Sequence, residues 1–315
     1  MKRILSLFTL VLLLGLLVAC GNKKTKSTKK EENEVILNIY DGTKEITVTY
    51  NSIPNRVVCN NVSSAEILIA LGLADKIVGM YDPDDEVTSI YKDEIAKITK
   101  LGDKKTISNE IILGTNPDII IGRTGKGDEV KAWNDLGVDV YFQKTSANIN
   151  QSFENLFEDI LNIGKIFNVS DKAIEYKKSL EAKVNSVKEG LGNTNGLKKA
   201  ILMANFSGNS YGAYKSSFQE ALLNLVGYTN ASTSGSNFSL ENLIELNPEF
   251  IIYVKASRNE SNDLTAYEKL FSLEAISEVS AIKNNKVLVL TYVSLMDYGV
   301  EAINTLGVIY DFIKQ

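Results

Sequence analysis

The sequence contains no histidine and has only two cysteines and four prolines among its 315 residues. Without imidazole the chain lacks the commonest metal ligand in proteins and the usual general base of a hydrolytic triad. The two cysteines, Cys20 and Cys59, stand in unrelated sequence contexts, so no disulfide framework is indicated. These absences argue against a serine hydrolase and against a binding site for bare zinc or manganese ions.

The charge balance separates a basic N-terminal segment from an acidic body. The formal net charge is −5, but seven of the 34 basic residues lie before Glu31. From Glu31 onward 27 basic residues face 39 acidic ones, and an acidic body disfavours nucleic acid as a partner. With 44% hydrophobic and 23% charged residues the chain has a globular composition, and its length suggests two domains.

Residues 1–19 have the pattern of a secretory signal peptide. They begin with Met-Lys-Arg, continue as an apolar run that is too short for a comfortable membrane span, and end in Leu-Val-Ala before Cys20. The Leu-Val-Ala-Cys ending resembles a bacterial lipobox, which implies cleavage before Cys20 and diacylglycerol on its sulfur. The alternative is a cleaved leader with an unmodified cysteine. Residues 20–33 are polar and rich in lysine and predict a flexible tether, so we expect an extracytoplasmic protein that is lipid-anchored to a bacterial membrane.

Two stretches of alternating strand and helix patterns flank one long predicted helix. Residues 34–169 begin with a hairpin around Asp41-Gly42 and continue with short apolar strands separated by helical patterns. The alternation restarts in residues 193–315, and residues 170–192 predict a helix with a narrow apolar stripe, capped by Ser170. We therefore predict an α/β protein with two lobes, each with a mainly parallel sheet covered by helices, joined by the long helix and enclosing a ligand cleft. The alternative is that this helix is an ordinary surface helix of a single domain.

An internal repeat connects the two halves. Ser108-x-Glu110 and Ser239-x-Glu241 are each followed, after five residues, by Asn-Pro, an acidic residue and a buried strand pattern, at a constant offset of 131 residues. In each copy the serine is predicted to cap a short helix with the glutamate in its first turn, and Asn-Pro to end that helix. Glu110 and Glu241 then either only complement helix dipoles or engage basic residues of a two-fold symmetric partner.

Together these features resemble the substrate-binding proteins of ABC importers for ferric siderophores, haem and cobalamin. The resemblance rests on the lipoprotein leader, the Pro-x-Arg-Val-Val segment after the hairpin, the stretch from Glu66 to Gly79, the two Glu…Asn-Pro-acid units, the long helix and the strand pattern from Lys286 to Leu290. It covers nearly the whole mature chain. It implies a monomer that holds a small ligand between two lobes and delivers it to a membrane permease dimer with its ATPase. It also implies that Glu110 and Glu241 dock to arginines of the permease.

The candidate ligand-binding residues directly follow predicted strands. In open α/β sheets ligands gather at the carboxyl ends of strands and at helix N-termini. Amides, tyrosines and arginines recur at these places, and such side chains can bind carboxylates, phosphates or catecholates. The predicted ligand-binding residues are Asn60, Asn61, Tyr81, Arg123, Tyr211, Tyr214, Arg258 and Tyr292. For each of them the alternative is an ordinary solvated surface residue.

The absence of histidine also narrows the predicted cargo. Haem ligation by histidine is excluded, although tyrosine or methionine could take its place. A ferric chelate brings its own donor atoms and needs no metal ligand from the protein, so it is the first expectation, with cobalamin or haem as alternatives. No intrinsic cofactor, no metal ligand and no catalytic residue are expected.

Two other functional classes are weaker. Gly208-Asn-Ser210-Tyr-Gly212 matches the G-x-S-x-G elbow of hydrolases, but a Ser-His-acid triad cannot form without histidine. A surface adhesin would explain the leader and the tether but not two similar halves around a cleft. The sequence therefore favours a binding protein over an enzyme.

Overall fold

Two separate sheets, each covered by helices, organise the chain. A computed structural model describes residues 34–83, 86–123, 127–146, 151–192, 196–232, 237–255, 263–296 and 299–315. The predicted signal peptide, the whole predicted tether with Cys20, and Arg258 lie outside these residues. Within them, no helix combines the length and the apolar character that crossing a bilayer requires.

A two-stranded antiparallel hairpin begins the described chain. Its strands are β1 (Val35–Tyr40) and β2 (Glu45–Tyr50). The turn forms as the Asp-Gly pair predicts: the Asp41 carboxylate accepts hydrogen bonds from the backbone N–H groups of Thr43 (2.7 Å) and Lys44 (2.9 Å), and Gly42 has φ 102°. The Tyr50 hydroxyl donates to the carbonyl of Val140 at 2.8 Å, so the hairpin is fixed to the first sheet.

The first sheet has four parallel strands in the order β4-β3-β5-β6. These strands are short, apolar and buried, as expected for a parallel sheet covered on both faces. The strands are β3 (Val57–Cys59), β4 (Ile77–Met80), β5 (Ile119–Gly122) and β6 (Asp139–Phe142). The helices of this half are α1 (Val62–Ala70), α2 (Lys92–Lys97), α3 (Asn109–Gly114), α4 (Glu129–Asp135) and α5 (Phe153–Ile166). We call this sheet with its helices and the hairpin the N-lobe.

The long predicted helix is present as α6 (Ser170–Leu191). Its 22 residues span about 33 Å, and its buried stripe is narrow, as predicted. The stripe consists of Ala173, Leu180, Val184 and Val187. Two details differ from the prediction: Val169 occupies the N-cap position, with no side-chain cap, and Ser170 is already helical. Gly192 ends the helix with φ 65°, a value that glycine adopts without steric cost.

The second sheet is mixed, with parallel strands at its centre. Its order is β10-β8-β7-β11-β12, and β9 pairs with the first residues of β7. The strands are β7 (Lys198–Ser207), β8 (Ser210–Ala213), β9 (Tyr228–Asn230), β10 (Asn237–Ser239), β11 (Phe250–Lys255) and β12 (Val287–Thr291). The helices are α7 (Ser217–Leu225), α8 (Leu240–Leu246), α9 (Asp263–Phe271), α10 (Ser280–Lys283), α11 (Tyr292–Met296) and α12 (Val300–Lys314). We call this sheet with its helices the C-lobe.

The antiparallel strands β8 and β10 are the feature of the C-lobe that the sequence prediction missed. Residues 205–213, which include Tyr211, form the end of β7, a tight turn and β8. Gly208 and Asn209 connect the two strands, and Gly208 has φ 60°. A β-hairpin contributes only a few residues of alternation to each strand, so its pattern is hard to distinguish from a loop.

The internal repeat has the same geometry in both lobes. Asn116 and Asn247, each directly before a proline, have left-handed backbone conformations with φ 51° and 41°. The acidic residue after each proline then joins the neighbouring strand: Asp118 N donates to Arg56 O, and Glu249 N donates to Lys199 O, both at 2.8 Å. The repeated sequence pattern therefore forms the same helix-to-strand connection twice.

A glycine of α5 controls how closely the long helix packs on the N-lobe. A Cβ atom added to Gly164 would lie 2.4 Å from the Cβ atom of Ala173. We expect Gly164→Ala to lower the free energy of unfolding by about 1–3 kcal/mol through overpacking, although alanine favours helix. In α12, no atom lies within 4 Å of a Cβ atom added to Gly307. We therefore expect Gly307→Ala to raise the free energy of unfolding by up to about 1 kcal/mol. Urea unfolding of both variants measures the difference, and a stabilised Gly164→Ala protein would contradict the packing argument.

Candidate functional site

A small cavity lies between the two lobes, at the carboxyl ends of the N-lobe strands. Its N-lobe walls are the segments that follow β3, β4 and β5, and its C-lobe wall is the first turn of α11. It is lined by Asn60, Asn61, Val62, Asp82, Pro83, Lys104, Arg123, Tyr292 and Val293. Its volume is about 20 Å³, which is room for about one water molecule. The described residues of the two lobes therefore lie close together around this cavity.

Asn60 and Asn61 form the polar floor of the N-lobe wall. The Asn60 side chain bonds the backbone of Arg123 twice: its amide donates to Arg123 O at 2.7 Å, and its carbonyl accepts from Arg123 N at 2.5 Å. Asn61 caps α1, because its side-chain oxygen accepts from Ser64 N at 3.0 Å. Both amides are thus held in fixed orientations, and this part of the cavity is preorganised.

Arg123 crosses the cavity from one lobe to the other. Its Nη2 atom donates to the backbone carbonyl of Met296 at 3.0 Å. The sulfur of Met296 in turn accepts from Gln219 Nε2 at 3.1 Å, and Gln219 is fully buried. Further out, the hydroxyl oxygens of Thr88 and Thr291 are 3.2 Å apart across the same gap. Polar side chains of the N-lobe therefore hold the C-lobe directly.

The predicted tyrosines are placed differently from one another. Tyr292 lines the cavity, and its ring meets that of Tyr214 edge-on with centroids 6.3 Å apart. Tyr81 lies at the end of β4 but is buried, and burial raises the pKa of its hydroxyl to about 12.

Tyr211 is a correction to the predicted site, because the structure places it in the C-lobe core. It is fully buried on β8, stacked against Phe238 at 5.7 Å, among apolar residues on the face of the sheet that packs on α8 and α9. Its hydroxyl has no hydrogen-bond partner within the described parts of the chain. Residue 211 is in a strand rather than in a loop, so its side chain points to one face of the sheet instead of into the cleft.

Two residues that the prediction omitted lie in the cavity lining or directly against it. Lys104 follows a short extended segment in which Met80 N donates to Thr99 O and Leu101 N donates to Met80 O, both at 2.9 Å. The sequence analysis did not identify this extended segment, which ends before Gly102. Lys104 comes after its end, just as the other N-lobe residues of the cavity come after the ends of β3, β4 and β5. Gln143 directly follows β6 and is fully buried, and its Oε1 accepts from Asn61 Nδ2 at 3.1 Å. Its position after a strand is the signal that could have identified it.

The charges that line the cavity are mainly positive. Arg123 and Lys104 contribute two positive charges, and Asp82 contributes one negative charge. The described residues contain no group of three His, Cys, Asp or Glu side chains that could hold a metal ion. The positive charges of the lining therefore suit a ligand with anionic or hydrogen-bond-accepting groups.

Glu110 and Glu241 lie in the first turns of α3 and α8, and both carboxylates are exposed. In each copy the hydroxyl of the preceding serine, Ser108 or Ser239, and the glutamate's own backbone N–H lower the pKa of the carboxyl group. Ser239 also caps α8 in a capping box, whereas the Ser108 side chain makes no cap bond. Both glutamates therefore carry a negative charge at neutral pH.

Both helices have their first turns at the cleft end of their lobes. The last turn of each helix lies at the opposite end, where Arg56 Nε donates to Asn116 O at 2.8 Å and Lys199 Nζ approaches Leu246 O at 3.4 Å. At the cleft end, α3 follows the loop that carries Lys104, and Leu240 N donates to Asn209 O in the turn after β7. The two carboxylates thus stand at equivalent places beside the cleft.

Other candidate features do not form sites of this kind. The G-x-S-x-G sequence at 208–212 spans a β-hairpin, whereas a hydrolase elbow joins a strand to a helix. A larger groove of about 990 Å³ lies at the amino ends of the C-lobe strands, with Lys198, Glu249 and Lys286 in its wall. Ligands of α/β proteins collect at the opposite, carboxyl ends. The cavity between the lobes is therefore the better candidate.

Comparisons with known proteins agree with this architecture. The family model described as periplasmic binding protein matches residues 57–292. The chain is 26% identical over 302 residues to the uncharacterized ABC transporter substrate-binding lipoprotein YvrC of Bacillus subtilis, covering 91% of this chain and 90% of the relative. It is 26% identical over 306 residues to the petrobactin-binding protein YclQ of the same organism, covering 92% and 91%.

Among solved structures, the fold is similar to that of an ABC-type Fe3+-hydroxamate transport system protein from Saccharomonospora viridis. The TM-score is 0.70 at 19% sequence identity, covering 89% of this chain and 99% of that one. At this identity the similarity concerns the fold.

Proposed function

The chain belongs to the periplasmic binding protein family, and from that premise we propose that it captures a ferric chelate between its two lobes and delivers it to the permease dimer of an ABC importer. The observation that carries this proposal is the cavity itself. Fixed amides and the cations Arg123 and Lys104 line one wall, and Tyr292 of the other lobe lines the opposite wall. The name of one relative refers to petrobactin, and this agrees with the proposed class of cargo.

Capture requires the lobes to separate first. Pockets that bind small molecules have volumes of about 300–1,000 Å³. The cavity has about 20 Å³, so a chelate enters only when the contacts of Arg123 with Met296 and of Thr88 with Thr291 open. The anionic groups of the ligand then replace the Met296 carbonyl as a partner of Arg123. The guanidinium group of Arg123 thus helps to attract an anionic complex into the open cleft.

The remaining parts of the proposal concern delivery. We propose that Glu110 and Glu241 dock to arginines on a permease dimer, with one glutamate on each lobe matching one permease subunit. Lipid on Cys20 would hold the protein at the outer side of a bacterial membrane, within reach of the permease and its ATPase. The protein acts as a monomer in this scheme and performs no catalytic step.

We expect ferric chelates to stabilise the purified protein against thermal unfolding. A ligand that binds only the folded state stabilises it by about 2.7 kcal/mol at a concentration of 100 times Kd, which raises Tm by several degrees. The assay compares ferric hydroxamate and ferric catecholate complexes with haem and cobalamin, and the iron-free chelators are the controls. If only haem or only cobalamin stabilised the protein, that ligand would take the place of the ferric chelate as the proposed cargo. No stabilisation by any of these ligands would contradict the proposal.

A further inference from the structure

The two lobes approach each other closely at Gly299, whose backbone conformation does not require glycine. Gly299 occupies the N-cap position of α12 with φ −108° and ψ −163°, an extended conformation that any residue adopts. A Cβ atom built on it would lie 2.5 Å from both the Cβ and the Oγ atoms of Ser63, and 3.2 Å from the Cα atom of Ser63. The reason for glycine at this position is therefore the approach of the other lobe.

This contact lies between the cavity and the long helix. Ser63 is in the first turn of α1, next to Val62, which lines the cavity. One turn further along α1, Glu66 lies within electrostatic reach of Tyr176 on the long helix α6, as does Glu301 in the first turn of α12. The contact between Ser63 and Gly299 thus lies at the floor of the cleft, with the cavity on one side and α6 on the other.

Ser63 has little freedom to make room for a side chain at position 299. It is 1% exposed, and its hydroxyl accepts from Gln143 Nε2 at 3.3 Å. A rotamer change could move Oγ, but the Cα and Cβ atoms of Ser63 are fixed by the first turn of α1. Ordinary contact begins at 3.4 Å, so an added methyl group would push the lobes apart by about 1 Å at this point.

We propose that Gly299 is a positioning residue for ligand capture, because the absence of a side chain there lets the lobes meet at the floor of the cleft and sets the width at which both lobes can grip a ligand. Its role in capture rests on the function proposed above, whereas its role in closure does not. The Arg123 Nη2 to Met296 O bond of 3.0 Å spans the same gap, and a widening of about 1 Å takes it beyond hydrogen-bond distance. A methyl group at position 299 therefore acts as a wedge that favours the open arrangement.

The decisive variants form a double-mutant cycle. Gly299→Ala inserts the wedge, Ser63→Gly removes the side chain that it meets, and the double variant relieves the two contacts of 2.5 Å. Gly307→Ala is the matched control, because it adds the same methyl group to the same helix with nothing within 4 Å. Ser63→Val tests the contact from the N-lobe in case Gly299→Ala fails to fold.

The first measurement is the distance between the lobes without ligand. Spin labels are placed on Lys131→Cys and Lys283→Cys, whose native side chains are 73% and 60% exposed on the N-lobe and the C-lobe. Cys59 stays unlabelled because it is fully buried, and burial raises the pKa of its thiol to about 12. Cys20 is replaced by serine in all variants. The second measurement is the affinity for ferric acetohydroxamate and for ferric desferrioxamine, a larger complex.

We expect Gly299→Ala to lengthen the distance between the labels, the double variant to restore it at least in part, and Gly307→Ala to leave it unchanged. Affinity for the complex that binds wild-type protein should fall about tenfold in Gly299→Ala and recover in the double variant. An unchanged distance in folded Gly299→Ala and Ser63→Val proteins, or no recovery in the double variant, overturns the proposal. Failure of wild-type protein to bind either complex counts against the ligand class instead, and the distances still decide the role of Gly299.

Discussion

Reversing the charge of both exposed glutamates, Glu110→Lys together with Glu241→Lys, is expected to stop uptake of a radioiron-labelled ferric chelate by cells, while the purified double variant should bind the chelate with unchanged affinity. The two carboxylates are exposed in the first turns of matching helices, and hydrogen bonds lower the pKa of both. Neither carboxylate lines the cavity between the lobes. At the proposed contact with a permease arginine, replacing a negative by a positive charge would turn an attraction into a repulsion, and like charges at an interface cost several kcal/mol.

The structure offers a control with the same change in net charge. Glu245 lies on α8 at the end away from the cleft, and Glu189 is exposed near the end of α6. Glu189→Lys with Glu245→Lys should leave uptake within about twofold of wild type, since exposed charges far from an interface contribute little. The neutral variants Glu110→Gln and Glu241→Gln should give intermediate uptake. Normal uptake by the charge-reversed double variant would contradict docking through these residues and leave them as helix-dipole partners.

The largest expected loss of stability comes from Asp159, a fully buried carboxylate of α5. It accepts hydrogen bonds from the Tyr141 hydroxyl (2.8 Å), Lys144 N (2.8 Å), Thr145 N (3.1 Å) and Thr145 Oγ1 (2.9 Å). Asp159→Ala leaves these donors buried without an acceptor, so we expect the free energy of unfolding to fall by about 3–5 kcal/mol at pH 7. Asp135→Ala, an exposed control on α4, should change it by less than about 0.5 kcal/mol. Urea unfolding checks both values, and a loss below about 1 kcal/mol for Asp159→Ala would contradict this role.

The same carboxylate gives a dependence on pH with a definite sign. Burial, which outweighs the four hydrogen bonds, raises the pKa of Asp159 to about 6. The folded protein then binds the proton more tightly than the unfolded chain does. The contribution of this group to stability is therefore largest below about pH 4 and is lost as the pH rises through about 6. Asp159→Asn should remove this part of the slope, by up to about 3 kcal/mol between pH 4 and 7. An identical pH slope in the wild-type protein and in the Asp159→Asn variant would show that the carboxylate is not the titrating group.

The features that were predictable from the sequence depend on local chain properties. The strands β3, β5 and β7, the long helix α6 and the two Asn-Pro connections follow from apolar periodicity, capping residues and the restrictions that proline imposes on its neighbours. Cys59 is buried at the end of β3, as free cysteines in proteins usually are. Asn60, Asn61, Arg123 and Tyr292 meet at one cavity because the carboxyl ends of strands converge there.

The sequence by itself thus determined two similar α/β halves, one long helix and a pair of glutamates at matching places, since each of these is encoded within a few neighbouring residues. Only the tertiary structure decided that Tyr211 points into the C-lobe core and that Gly299 meets Ser63. The physical reason is the same in each case. Which face of a sheet a side chain takes, and which residues touch across a gap, depends on the packing of segments far apart in the chain, and no local pattern records it.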